Sequence, residues 1–573
     1  MSPKLMRLRQ WLASPRLIWW VIALVILLGL PTLGIELVGD DLAQHEFLRA
    51  QQQGRSSQPW WNMFALVEGP RARTEGLRTS GRYPWWVAPD LRVVFFRPVT
   101  VATHYLDHTL WPRTYWLMHL HSVVWHALAC ALGWGLARRL CSSPAAAGAA
   151  ALVYAVSFSH VIPVAWLAHR NGLVSTSLAL ACVLAHDVWR RDGRTWAGLL
   201  APLLLGLGLL AAEAAIVTLP LLVSHALFVD EAKIRARVLA LVPALAVVIG
   251  WRLGYNAMDF GSTGSGAYWD PIGDPRGFVL NSPARYLSLL SVSVSPPFML
   301  GFPWRLWQLL TICVGFVVLA FVFTTKLPAA RFGVAAVLLG CVPLTASLPG
   351  DRLLILTSFG TALVFGELIV AWLLSNSGRL RRACAALVVV VHLLIPAVAG
   401  PLQSLRIDEL APEDGAIPVF APQLDNAGLD KRGLVIVHAP NHPSAAQLPL
   451  TRRARGLLAP NFVWLLHDGP EPPIMRRLDA RTIELRAPLG WPSNHFSGFW
   501  RSHTQVPFAI GDTVKTIDYV ATVTAVESGK ATVVEFQFRA PLEHPSFAWV
   551  SWAGAEFEPV DPREWPVQVD DAR

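Results

Sequence analysis

Six short stretches of this chain carry residue types able to do chemistry. Gly39-Asp40-Asp41 closes the first apolar run, and two adjacent carboxylates at a membrane boundary are costly unless they bind something or face water. The plain alternative is the solvated end of a helix. Further on, Arg97 precedes Pro98 and Asp107 follows ten residues later. His119 and His126 lie seven residues apart, two helical turns on one face. Intramembrane histidines are either functional or hydrogen-bonding links between helices. His160, Trp166, His169 and Arg170 come next, and Arg170 is equally suited to anchoring a helix at the headgroups. Glu213 stands between two short apolar runs and calls for a partner, either Arg170 or a substrate hydroxyl. Arg352 has Asp351 beside it as a local neighbour. Carboxylates with several arginines on one face suit a phosphosugar, because arginine matches a phosphate leaving group and a carboxylate removes a hydroxyl proton. A transporter would present similar groups.

The elements that must hold these residues follow from composition. The chain has 573 residues, 53% hydrophobic and 15% charged, against about 25% charged in soluble domains. Between residues 17 and 401 apolar runs of about 20 residues recur, each long enough to cross ~30 Å of hydrocarbon as a helix. A net charge of +9 does not indicate nucleic acid, because the basic residues cluster at the ends of apolar runs. Arg138-Arg139, Arg190-Arg191, Lys233 to Arg237, Lys326 to Arg331 and Arg379 to Arg382 mark the cytoplasmic side, with the basic N-terminus. About eleven spans are expected, near 17–38, 116–137, 145–166, 172–189, 196–211, 214–229, 236–256, 303–325, 330–348, 353–375 and 383–401. The segment from Pro283 to Leu300, interrupted by Ser and Pro, is read as re-entrant or interfacial.

An odd count puts residues 1–16 in the cytoplasm, and outside it a loop at 39–115 and a region at 402–573. The transmembrane domain is then 17–401. The loop's Trp60, Trp61, Trp85, Trp86, Phe95 and Phe96 suit the headgroup level. The C-terminal region is β-prone: "GLVIVHAP", "FVWLLHDG" and "RTIELRAP" are short strands, and "YVATVTAVESGKATVVEFQF" is a hairpin turning at Ser-Gly. The six cysteines lie in or beside apolar runs without a CxxC pair, so they read as packing residues.

The series Asp40-Asp41, "FFRPVT…LDHTLW", "WLMHLHSVVWHALA", "SHVIPVAWLAHRNGLV" and "LLAAEAAIVTLP" resembles the polytopic GT-C glycosyltransferases. Within them it is most similar to bacterial relatives of protein O-mannosyltransferases and of the transmembrane, TPR-bearing O-mannosyltransferases. The likeness covers residues 17 to 230, with an echo at "GDRLLILTSFG". Ala212 stands in place of the family's Lys, Ile162 in place of an acidic residue, Leu353 and Ile355 in place of tyrosines, and the TPR array is absent.

The resemblance implies an α-helical, GT-C-like polytopic membrane protein with a C-terminal extracytoplasmic β-rich domain, in a bacterial cytoplasmic membrane. It implies a polyprenyl-phosphate sugar donor and inverting transfer to a hydroxyl of a protein, lipid or glycan acceptor. Asp41 or Asp40 would be the general base. Arg97, Arg170 and Arg352 would hold the donor phosphate, Glu213 would support the site, His119 and His160 would line it, and no metal or other cofactor is implied. Against this stand a lipid-linked sugar transporter or flippase, which predicts inverted repeats, and a non-catalytic scaffold with a β-rich binding domain.

Overall fold

A computed structural model of the protein describes residues 3–69, 71–296, 303–407, 428–442, 445–446, 448–449, 452, 457–460, 462–554 and 557–566. The chain forms two compact units. The first comprises Met1–Phe64, Phe95–Phe260 and Arg276–Ile407; the second comprises Ala65–Val94, Gly261–Pro275 and Asp408–Arg573.

The first unit is helical. Among the described residues, six helices are long and apolar enough to cross a membrane: Leu17–Gly34, Tyr115–Leu140, Leu167–Asp192, Ile234–Ala257, Trp304–Thr325 and Arg379–Leu405. Pro144–Val156 and Phe158–Ala165, bent by 44° to one another, make a seventh if taken as one span. Thr195–Leu209, Glu213–Phe228, Pro328–Leu344 and Thr357–Leu373 are apolar but shorter. Each expected span thus falls on an apolar helix, while only six or seven have the length to cross alone. Large apolar side chains point outward, with Leu199 78% and Phe323 76% exposed, as lipid-facing helices require.

Two expectations can be made more definite. Pro275–Val294 is one helix that continues through Pro283, and it is not among the helices long and apolar enough to cross; the end of the segment read as re-entrant or interfacial, residues 297–302, lies outside the described residues. Nor is 39–115 a single loop. Its ends form the helices Asp40–Gln52 and Pro98–Leu110 of the first unit, and 65–94 belongs to the second.

Helix packing in the first unit rests on small residues, since lipid offers no hydrophobic force to drive helices together and close backbone approach must do so. Ala145 to Ala151 are all buried in the helix Pro144–Val156, whose first turn is capped by Ser143 accepting from the Ala146 amide at 3.2 Å. Where Pro328–Leu344 meets Thr357–Leu368, a Cβ added to Gly360 would lie 2.6 Å from the Gly333 carbonyl oxygen.

The second unit holds three sheets. β1 (Ala65–Glu68), β2 (Arg92–Val94) and β3 (Gly261–Thr263) make a small antiparallel one. β4 (Gly433–Ile436) and β5 (Phe462–Leu465) pair in parallel, and β11 (Phe547–Trp552) and β12 (Phe557–Pro559) complete a four-stranded sheet in the order β12-β11-β4-β5. The third runs β6-β7-β10-β9-β8, from Ile474–Arg477, Thr482–Trp491, Lys530–Phe538, Tyr519–Glu527 and Thr513–Lys515. The expected hairpin is β9-β10, and its Ser528-Gly529 turn has φ +49° and +78°, the double left-handed geometry that matches strand twist. Trp85 and Trp86 are 1% and 0% exposed in this unit's core, against the headgroup placement expected of them. Trp85 Nε1 donates to the Leu466 carbonyl at 2.9 Å, which satisfies its polar edge without water.

The helix contact gives a first prediction. Gly360→Ala should destabilise the protein by about 1–3 kcal/mol through overpacking. Gly315→Ala, where an added Cβ meets nothing within 4 Å, should leave it unchanged or slightly more stable. Thermal unfolding of the two purified variants checks this, and equal melting temperatures would remove the close-packed contact.

Candidate functional site

The first apolar helix ends in a tight turn at Leu30–Gly34, and the chain re-enters helix at Asp40 through Gly39. Gly39 has φ +56°, a left-handed conformation that favours glycine, with the Trp166 ring 3.4 Å from where a Cβ would stand. Trp166 Nε1 in turn donates to the Val38 carbonyl at 3.2 Å. This turn sets the two carboxylates differently. Asp41 is 3% exposed; its Oδ1 accepts from the Ala168 amide at 2.6 Å and its Oδ2 from the Val38 amide at 3.2 Å. Burial pushes its carboxyl up to about 7, opposed by those two amides, raised further by Asp40 and opposed again by Arg170. Asp40 is open at its surface but set into the protein, and the resulting desolvation raises its carboxyl while Arg352 pulls the other way.

Beneath the acidic pair lies a buried ion pair. Pro98 begins the helix Pro98–Leu110 and carries Asp107 on its inner face, 1% exposed. Asp107 Oδ2 accepts from Arg170 Nη1, and Arg170 has no exposed surface. Arg170 Nε donates to Ser122 Oγ at 3.0 Å and Nη2 to the Met118 carbonyl at 2.6 Å. Trp125 Nε1 donates to His121 Nε2 at 3.1 Å, so His121 carries its proton on Nδ1 and donates it to Asp107 Oδ1 at 2.7 Å. Both carboxylate oxygens and all three guanidinium nitrogens are thereby engaged.

A second ion pair sits at the other side. The Val99 amide donates to the Leu210 carbonyl at 3.1 Å and Thr100 Oγ1 to the Ala211 carbonyl at 2.8 Å, which aligns Arg97 with the chain entering Glu213. Arg97 Nε and Nη2 both reach Glu213 Oε2, at 2.8 and 2.7 Å, and Tyr255 donates its hydroxyl to Oε1 at 3.2 Å. The guanidinium also lies over the Phe95 and Phe64 rings, 4.4 and 4.9 Å from their centroids. Glu213's partner is therefore Arg97, not Arg170 as the sequence allowed. Ala212, expected from the resemblance to be Lys, is 3% exposed.

Arg352, in the turn Asp351–Leu354, makes no hydrogen bond among the described residues. It stands within electrostatic reach of Asp40, and His169 feels both Arg352 and Arg97. Asp40, Asp41, Arg97, Arg170 and Arg352 thus gather around His169 and the Asp41-Ala168 bond.

The expected roles separate accordingly. Arg170 is fully enclosed, so the direct phosphate contact expected of it does not fit its place. His119, also without exposed surface, senses Arg170 and Asp107 electrostatically. His160 packs 4.5 Å from His126 and 4.7 Å from Tyr154, centroid to centroid, and makes no contact with the carboxylates among the described residues. Sequence reasoning missed His121, whose signal was its place one turn before Trp125, and Tyr255, which had none.

Along the helix Tyr115–Leu140, His119 and Arg139 are separated by 20 residues, about 30 Å. The site therefore lies one hydrocarbon thickness from the end where Arg139 pairs with Asp187 and Asp192.

Over 78% of this chain, the crystal structure of the Archaeoglobus fulgidus oligosaccharyltransferase tethered with an acceptor peptide containing the NVT sequon aligns at TM-score 0.43 and 12% identity. The archaeal oligosaccharyltransferase AglB from Archaeoglobus fulgidus, in complex with an inhibitory peptide and a dolichol-phosphate, aligns over 81% at the same score and identity. ArnT from Cupriavidus metallidurans in the apo state aligns over 76% of this chain and 84% of its own, at TM-score 0.39 and 13% identity. These neighbours are GT-C glycosyltransferases. This chain spans 64% and 66% of the two oligosaccharyltransferase chains, about two thirds of their length. No protein-family model and no curated protein matches it.

The buried pair yields the second prediction. Asp107→Asn leaves a buried guanidinium without its counter-charge and should cost roughly 3–5 kcal/mol. Arg170→Lys should cost nearly as much, because an ammonium cannot reach Asp107, Ser122 and the Met118 carbonyl together. Unfolding of each variant in detergent measures this, and a loss under about 0.5 kcal/mol would show that the pair is dispensable.

Proposed function

We propose that this protein is a membrane glycosyltransferase that moves a sugar from a polyprenyl-phosphate donor to an acceptor hydroxyl on the non-cytoplasmic face of a bacterial cytoplasmic membrane. The observation that carries the reading is the juxtaposition of an accessible carboxylate, Asp40, with a guanidinium that has no hydrogen-bond partner among the described residues, Arg352. In this reading all eleven apolar segments cross the membrane, the N-terminus is cytoplasmic and the C-terminal β-rich unit lies outside.

Asp40 acts as the general base. Its oxygen takes the acceptor hydroxyl's proton as the acceptor oxygen bonds to the anomeric carbon from the face opposite the phosphate. The bond from that carbon to the phosphate oxygen breaks, the configuration inverts, and polyprenyl phosphate leaves with the electron pair. Arg352 and the outer edge of Arg97 bind the donor phosphate and offset its growing charge, so guanidinium groups do the work a metal ion does elsewhere. Asp41, with both oxygens on backbone amides, is a positioning residue that fixes the turn carrying Asp40. Arg170, Asp107 and His119 hold the floor beneath it, and Glu213 orients Arg97.

Two predictions test this. Asp40→Asn should lower transfer of radiolabelled sugar from a polyprenyl-phosphate donor to membrane acceptors by at least about 100-fold, with Asp40→Glu partly restoring it. Wild-type transfer by the Asn variant would overturn the base assignment. The base must be ionised to accept a proton, and both carboxyls are raised, that of Asp41 to about 7. The rate should therefore be low in acid and rise with pH in a range above the ~4 of an ordinary carboxylate. Arg352→Ala removes the group that lowers Asp40, so the rise should move to higher pH. A pH-rate profile identical to wild type would separate Arg352 from the base.

A further inference from the structure

Two cavities in the first unit adjoin one another, sharing Ser157 and Pro396 in their linings. They differ in character. The larger, about 600 Å³ including space open to solvent, mixes apolar side chains such as Phe158, Leu354 and Phe365 with hydroxyls, among them Ser159, Ser293, Ser295, Ser358 and Thr361, and with Asp351 and His392. The smaller, about 390 Å³, is largely hydrocarbon, with Val25, Leu28, Val156, Val161 and Val164 along its wall.

The polar compartment has a definite hydrogen-bonding sign. Ser293 Oγ donates to the Leu289 carbonyl at 2.9 Å, Ser295 Oγ to that of Val292 at 3.3 Å and Ser358 Oγ to that of Ile355 at 3.0 Å. Their protons are spent on backbone, which leaves lone pairs as what they offer to a guest. Ser159 Oγ donates to Ser358 Oγ at 3.1 Å and lies 2.9 Å from Ser157 Oγ, so the wall is one connected chain of oxygens. Asp351 adds a carboxyl, raised to about 6 by its burial. Among the described residues no Lys or Arg lines the compartment. Such a wall accepts hydrogen bonds and disfavours anions. In the apolar compartment, His126 Nε2 is buried without a partner among the described residues and adds a single polar point to the hydrocarbon wall.

We propose that the joined cavities bind a membrane amphiphile with a neutral, hydroxyl-rich head group, the head in the serine-lined compartment and a hydrocarbon chain in the apolar one. Asp351 joins this compartment to the candidate site, because the next residue, Arg352, is the cation facing Asp40. This rests on the transferase reading and deepens it: the acceptor, or a product on its way out, is a glycolipid-like molecule whose hydroxyls approach Asp40 from the side of Asp351.

The test is equilibrium binding of radiolabelled decyl maltoside, below its micellar concentration, to the full chain in phosphatidylcholine nanodiscs, with empty nanodiscs as the partition blank. Saturable binding is expected, displaced neither by excess free maltose nor by decyl phosphocholine. Ser293→Val and Ser358→Ala should each weaken it about fivefold while melting temperature stays within a few degrees of wild type. Displacement by free maltose alone would reassign the site to soluble glycans, and displacement by decyl phosphocholine would show that only the chain is recognised; either overturns the proposal, as does non-saturable uptake. If the serine variants prove unstable, Thr361→Val supplies the same comparison. Asp40→Asn should abolish transfer and leave this binding intact, so loss of binding and loss of transfer report on separate claims.

Discussion

A guanidinium with no exposed surface can persist at the end of a membrane helix only if a carboxylate and several oxygens hold it in place, and the Arg170–Asp107 pair is built that way. One face of Arg170 is taken by Asp107, one by Ser122, one by the Met118 carbonyl. Asp107 is completed from the opposite side by His121, itself fixed by Trp125. The arrangement ties the helix Pro98–Leu110 to Tyr115–Leu140 and to the start of Arg170–Asp192, three elements that adjacent small residues alone would not hold in register. Asp41 depends on it directly. The amide that fixes Asp41 Oδ1 belongs to Ala168, two residues before Arg170. A shift of Arg170 would therefore move the turn that carries the acidic pair, although Arg170 itself touches nothing outside the protein.

This division of labour explains how much of the site was legible in the sequence. Residue types and order pointed to Asp40-Asp41, Arg97, Asp107, Arg170, Glu213 and Arg352, and these do converge. Pairing was not legible, because an arginine's partner is set by which helices face each other and not by spacing along the chain. Arg97 and Glu213 are 116 residues apart, Arg170 and Asp107 are 63, and nothing local distinguishes one match from the other. The same holds for the fold. The β9-β10 hairpin could be read because its turn chemistry is local, whereas the parallel pairing of β4 with β5 joins strands separated by a long connection. Trp85 and Trp86 were misplaced for a related reason. An aromatic pair in a loop looks alike whether it meets headgroups or a protein core, and only the sheets of the second unit decide it.

Ala212, where the resemblance would lead one to expect Lys, has surroundings with a physical reading. Ala212 is buried, and the adjacent Glu213 is already neutralised by Arg97 and bonded by Tyr255. A lysine at this position would have to bring an ammonium into a place where the nearest carboxylate is occupied. Arg352, in the turn Asp351–Leu354, is a cation with no hydrogen-bond partner among the described residues.

The two carboxylates differ in what holds them. Asp41 is bound on both oxygens and buried, so it cannot approach a substrate without breaking the turn. Asp40 has surface and no hydrogen bond among the described residues, and its only nearby counter-charge is Arg352. If Arg352 also grips a phosphate, the two tasks are linked: drawing the guanidinium toward an anion weakens its hold on Asp40 and raises that carboxyl's affinity for a proton. Donor binding would then make Asp40 a stronger base but also easier to protonate, so the coupling would show as a pH-rate profile displaced to higher pH at saturating donor. The open surface of Asp40 and the absence, among the described residues, of any hydrogen bond to Arg352 are what permit this coupling, and the two amide bonds to Asp41 hold the turn that carries Asp40.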